Sequence, residues 1–165
     1  MGPSNVNYHN TLFKTTTFPK HTGETNFEII RSLHNLLKTN TSDVLTSLGG
    51  ANHGYLGLLL SDAAYALISP APFIQLIHPE ILVIPHGTTG HMTATLRDQH
   101  KEALLLFLKC KNAEKALQQQ LTKAIDTIYL DVLHNSNTNA LNFPIQDVLQ
   151  YLYNTYGGIA PEILS

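Results

Sequence analysis

The stretch TATLRDQHKEALLLFLKCKNAEKALQQQLTKAIDTIYLDVL, running from Thr93 to Leu133, passes without a proline or a glycine. In it Leu96, Ala103, Phe107, Cys110, Leu117, Leu121, Ala124 and Ile128 recur at steps of three, four or seven, the period of one helix face. Its centre, Ala103 to Leu108, is apolar all round. A helix of that kind has to be covered by other elements, so the stretch is expected to run through the middle of the domain. Leu96, Leu104, Phe107, Leu108, Cys110, Leu117 and Leu121 form the expected core, and a charge at Leu105 is expected to destroy the fold. Arg97, Asp98, Lys101 and Glu102 precede the apolar run, and Lys109, Lys111, Glu114 and Lys115 follow it.

One unbroken helix of that length would span about 60 Å at about 1.5 Å per residue. A compact chain of 165 residues has a radius of gyration of about 15 Å. A kink or restart is therefore expected, either at Asn112, whose side chain competes for backbone hydrogen bonds, or at Asp126 as the N-cap of a short final helix.

Hydrophobic residues make up 43% of the chain and charged ones only 13%, with a net charge of −2. A surface so poor in charge repels its own copies weakly, which suits self-association. No basic run is long enough to leave a strong electrostatic footprint for nucleic acid. The single cysteine, Cys110, excludes an intramolecular disulfide and a cysteine-rich zinc site, and its place on the helical stripe reads as a buried structural thiol. There is no membrane-spanning apolar run and no hydrophobic signal core, so no membrane partner is expected and the cytoplasm is the expected location.

Residues 1 to 22 show no sustained period and read as a flexible N-terminal arm. A first helix is expected over Phe27, Ile30, Leu33, Leu36 and Leu37, capped by Thr25 or Asn26 and closed near Lys38, Asn40 and Ser42. Ser61-Asp62 reads as the start of a short second helix. Between Ser69 and Thr89 prolines alternate with apolar residues, which predicts an ordered loop with at most a helical turn or a short extended piece at Ile81 to Ile84. Pro144 suits the first turn of a last helix with Ile145, Val148, Leu149, Leu152 and Tyr156 on one face, ended by Gly157-Gly158. The helical domain is thus expected over 23–158, with 159–165 as a linker and the start of a following segment that extends past Ser165.

The search for chemistry is negative. Among nine histidines no two are separated by the three residues that put metal ligands on adjacent helical turns. Gly49 and Gly54 have the spacing of a phosphate-binding loop, but Tyr55-Leu56 stands where Lys and Ser or Thr are needed. His53 reads as a hydrogen-bonding residue that fixes the glycine-rich turn. There is no nucleophile elbow, and Asp126 and Asp131 fall on different helix faces. No catalytic, cofactor-binding or metal residue is expected, and the chain reads as a non-enzyme.

Two segments carry a resemblance. Leu48-Gly49-Gly50-Ala51-Asn52-His53-Gly54-Tyr55-Leu56-Gly57-Leu58-Leu59-Leu60-Ser61-Asp62-Ala63-Ala64-Tyr65 resembles a glycine-rich segment of Gag-like proteins from copia-type LTR retrotransposons. Ile128-Tyr129-Leu130, followed by the run from Val148 through Tyr156 and Gly157 to Pro161, is similar to the segment that follows it in those proteins. The resemblance covers roughly residues 25 to 164. It implies an all-α capsid domain of about six or seven helices that packs with copies of itself into a shell around the element's RNA. With one cysteine there is no zinc knuckle, so RNA capture by that route falls outside this chain. Ala51 departs from the family's third glycine. The other reading is a host-derived helical adaptor of the same fold, which captures a partner and builds no shell.

Overall fold

The computed structural model describes residues 13, 18–46, 48, 52–138, 141 and 143–158. Four α-helices occur among them: α1 (Phe27–Asp43), α2 (Asp62–Ala66), α3 (Gly90–Ala124) and α4 (Ile145–Leu152). Short 3₁₀ turns at Leu56–Leu58, Thr127–Tyr129 and Asp131–Leu133 and a π-helical turn at Tyr153–Gly157 complete the regular structure. The described residues contain no strand, only an isolated antiparallel bridge between His134 and Leu141. The fold is all-α, but four helices replace the expected six or seven. Residues counted as further helices form single 3₁₀ turns, too short to propagate.

Local chemistry explains the boundaries. The Asn26 side chain accepts from the Ile29 N–H at 3.0 Å and starts α1. The Ser61 hydroxyl does the same for Ala64 at 3.1 Å and starts α2. These caps satisfy donors that the first turn leaves without intrahelical partners. α1 ends at Asp43, one residue past the Lys38, Asn40 and Ser42 cluster expected to close it. In that last stretch Asn40, fully enclosed, donates to Gln120 Oε1 at 3.1 Å, and Thr41 returns its hydroxyl to the Leu37 carbonyl. Pro144 caps α4 from one residue outside it, and the Glu114 carboxylate accepts from the Ile145 N–H. A carboxylate at a helix N-terminus is favoured by the helix dipole.

The expected break falls at one of its two alternatives. α3 passes Asn112 without interruption, and Asp126 caps the 3₁₀ turn that follows, its carboxylate accepting from Ile128 at 3.3 Å. The His21 N–H donates to the Ala124 carbonyl at 2.8 Å, satisfying one acceptor at the end of α3. Phe13 is buried as well, so these described residues of the N-terminal stretch are held in place.

The chain divides into two compact units, Gln75–Asn112 and the residues on either side of it up to Ile74 and from Ala113. The core of the flanking unit consists of Ile30, Leu33 and Leu37 from α1, Leu58, Leu59 and Tyr65 from the middle stretch, Leu117, Leu121 and Ile125 around the end of α3, and Ile145, Val148 and Leu152 from α4. Ala113, Ala116 and Ala124 are also fully enclosed. Small side chains there let neighbouring backbone come close. Each enclosed leucine contributes roughly 1.5–3 kcal/mol of transfer free energy.

Burial along the long helix differs from the expectation. Leu117 and Leu121 are buried, while Leu96, Leu104, Phe107 and Cys110 are half-buried. Leu105 is 49% exposed and Leu108 44% exposed. The apolar run from Ala103 lies in the smaller unit, where the only other chain is the proline-rich segment from Gln75. One irregular segment covers one side of a helix and not the others. Leu105→Asp is therefore not a core substitution.

Candidate functional site

The glycine-rich turn is a packing device. Gly54 has φ +52°, and a side chain there would run into the carbonyl oxygens of Thr41 and Val44. The next N–H, of Tyr55, donates to the Thr41 carbonyl at 2.8 Å, so the turn is clamped on the end of α1. At Gly57 a Cβ would overlap the Phe73 ring. His53 Nε2 lies 3.0 Å from the Ile68 carbonyl, and its ring meets Tyr65 edge-on at 6.0 Å. Tyr65, itself buried, packs on Phe73 at 5.8 Å. Gly49, Gly50 and Ala51 lie outside the described residues, as does Pro161.

The second sequence segment also gathers aromatics. The rings of Tyr129 and Tyr156 meet at 4.9 Å in a T-shaped pair, and the Tyr129 hydroxyl donates to the Gly23 carbonyl at 2.9 Å. Gly157 packs beside Tyr153 and Phe27. The motif residues thus join α1, the 3₁₀ turn and the end of α4. They hold the fold and present no reactive group to a cleft.

The most perturbed ionisable group is one that sequence reasoning passed over. His34 lines a cleft of about 240 Å³ with Lys38, Ser61, Gln146, Gln150 and Tyr153. Its Nδ1 lies 3.0 Å from the Tyr153 hydroxyl, and its Nε2 is enclosed without a protein partner among the described residues. Burial, assisted by the nearby Lys38 ammonium, pushes the imidazole down from 6.5 to about 4. Burial also raises the Tyr153 phenol, opposed by Arg31. The sequence shows only that His34 falls between Ile30 and Leu37 at helical spacing, on the apolar side of α1.

A neutral, half-buried imidazole makes stability depend on pH with a definite sign. The unfolded chain takes up a proton near pH 6.5 and the folded chain only near 4. Stability is therefore full above the unfolded value and falls as pH drops towards the folded one. Between pH 7 and pH 5 the loss at this site is expected to be about 2 kcal/mol. Urea titrations at the two pH values, on wild type and His34→Gln, check it. The variant should lose that share of the pH dependence.

No group of three His, Cys, Asp or Glu side chains gathers to hold a metal ion among the described residues. No helix among them is long and apolar enough to cross a membrane.

The unit Gln75–Asn112 is of another kind. None of its residues is buried. Ile81, Ile77 and Val83 are 90%, 83% and 78% exposed. Burial alternates along the proline-bounded segment, with Leu82 and Ile84 half-covered between exposed Ile81, Val83 and Pro85, the period of extended chain. Phe107 of α3 receives the His78 ring at 5.0 Å, and His100 Nε2 lies 2.9 Å from the Glu80 carbonyl. Single exposed apolar side chains are ordinary, but a whole unit of them without an interior is not. Comparison with protein-family profiles, curated proteins and solved structures finds no match to the chain.

Proposed function

We propose that this chain is a structural protein that assembles with copies of itself, as the capsid domain of a copia-type Gag protein does in forming a shell around element RNA. The observation that carries the reading is the unit Gln75–Asn112, which leaves Ile77, Ile81, Val83, Leu105 and Leu108 exposed and buries none of its residues. Segments below about 40 residues rarely sustain a core alone. Contact with further copies supplies the missing cover. The low charge of the chain, 13% of residues with a net −2, removes the main obstacle to bringing copies together.

In this reading the glycine turn and the tyrosine cluster keep the larger unit rigid while the smaller one makes contacts. Each contact is weak, and avidity among tethered neighbours makes the shell stable. Element RNA is held mainly by sequence outside this chain, and assembly takes place in the cytoplasm. Light scattering with electron microscopy over a concentration and salt series tests the proposal. Rings, sheets or shells that grow with concentration are expected. Capture of a different protein by a chain that never self-associates would instead favour the adaptor reading.

A further inference from the structure

Resting on the assembly reading, we propose that two copies pair through an antiparallel, two-fold packing centred on Leu105 and Leu108 of α3, with Glu102 of each copy beside Lys109 of the other. Leu105 and Leu108 lie three residues apart on one helix face. Both are exposed, and so are Glu102 and Lys109 on the flank of the seam. The face with Phe107 and His100 is engaged within the unit, since Phe107 takes the His78 ring and His100 meets the Glu80 carbonyl. Of the large apolar side chains between Asp98 and Asn112, Leu105 and Leu108 are the exposed ones, and both lie on the seam.

The charge pattern points to the occupant. Glu102 and Lys109 lie seven residues apart on one flank, about 10 Å along the axis at about 1.5 Å per residue, with Leu105 and Leu108 between them. An antiparallel pair sets each carboxylate against the partner's ammonium, twice, by the same rotation that places Leu105 against Leu108. A pattern that complements itself under a two-fold axis is met by a second copy of this chain. Two leucines and two exposed ion pairs make a weak contact, as a reversible shell requires.

The test uses charge reversal on the full chain, read by light scattering over a concentration series, with circular dichroism to verify helicity. Glu102→Lys alone and Lys109→Glu alone should each weaken self-association on the order of tenfold, because two attractive pairs become repulsive. An equimolar mixture of the two variants should associate as wild type does, since the cations of one face the carboxylates of the other. The double variant should recover as well. Single variants that associate like wild type, or a mixture that stays as weak as its components, overturn this pairing and leave the assembly reading standing. A wild type that remains monomeric throughout overturns both.

Discussion

A chain carrying Leu121→Asp is expected to lose cooperative unfolding altogether, whereas one carrying Leu105→Asp is expected to keep it. The two leucines belong to the same helix and are equally apolar in isolation. Leu121 is fully enclosed among the side chains of the larger unit, while Leu105 is 49% exposed. A carboxylate at Leu121 must be desolvated without a partner or carry a proton. Either route costs about 5 kcal/mol or more once the lost leucine packing is included, a large part of a typical domain's stability. At Leu105 the carboxylate remains in water, and the change in folding stability should stay within about 1 kcal/mol. Circular dichroism during urea titration separates the two. Light scattering should show the opposite order of interest, with folded Leu105→Asp losing self-association because its charge sits in the centre of the proposed seam.

Replacing Gly57 should be severely damaging although it lies outside the α-helices. Its missing side chain is occupied by the Phe73 ring, which packs on Tyr65, which in turn meets His53. Every member of this stack except His53 is buried, so the ring has nowhere to retreat. Gly57→Val is expected to cost about 3 kcal/mol or more, at the upper end of what overpacking does. For a chain of this length that corresponds to a melting temperature lower by roughly 10 °C. Differential scanning calorimetry checks it. Gly90→Ala serves as the control, because a Cβ at Gly90 meets nothing and alanine suits the start of α3 better. A double variant that also truncates Phe73 should show a loss smaller than the sum of the single losses, since both act on one contact.

Features set by neighbouring residues could be read from the sequence. Asn26, Ser61 and Asp126 cap the elements they were expected to start, because a cap needs only a short polar side chain within three residues of the orphan N–H. The face of α1 with Ile30, Leu33 and Leu37 follows from the same local periodicity. Gly158, at φ +67°, ends the final helix as its position suggested.

Which part of the long helix is covered could not be read in that way. The run from Ala103 to Leu108 is more hydrophobic than Ala113 to Ala124, yet only the latter is enclosed. Periodicity says which face is apolar. It does not say whether distant chain arrives to cover it, and only the alanine-bearing segment receives α1 and α4. His34 escaped attention because its environment is built by Tyr153, more than a hundred residues away. The exposed unit was hidden for the related reason that an apolar sequence reads as core wherever it falls.

Sedimentation velocity of the wild-type chain and of Leu105→Asp, over the same concentration series, tests the self-assembly proposal most directly. The account predicts wild-type species that grow with concentration and a Leu105→Asp chain that stays folded and sediments as a monomer. A wild type that is monomeric at every concentration and salt would contradict it.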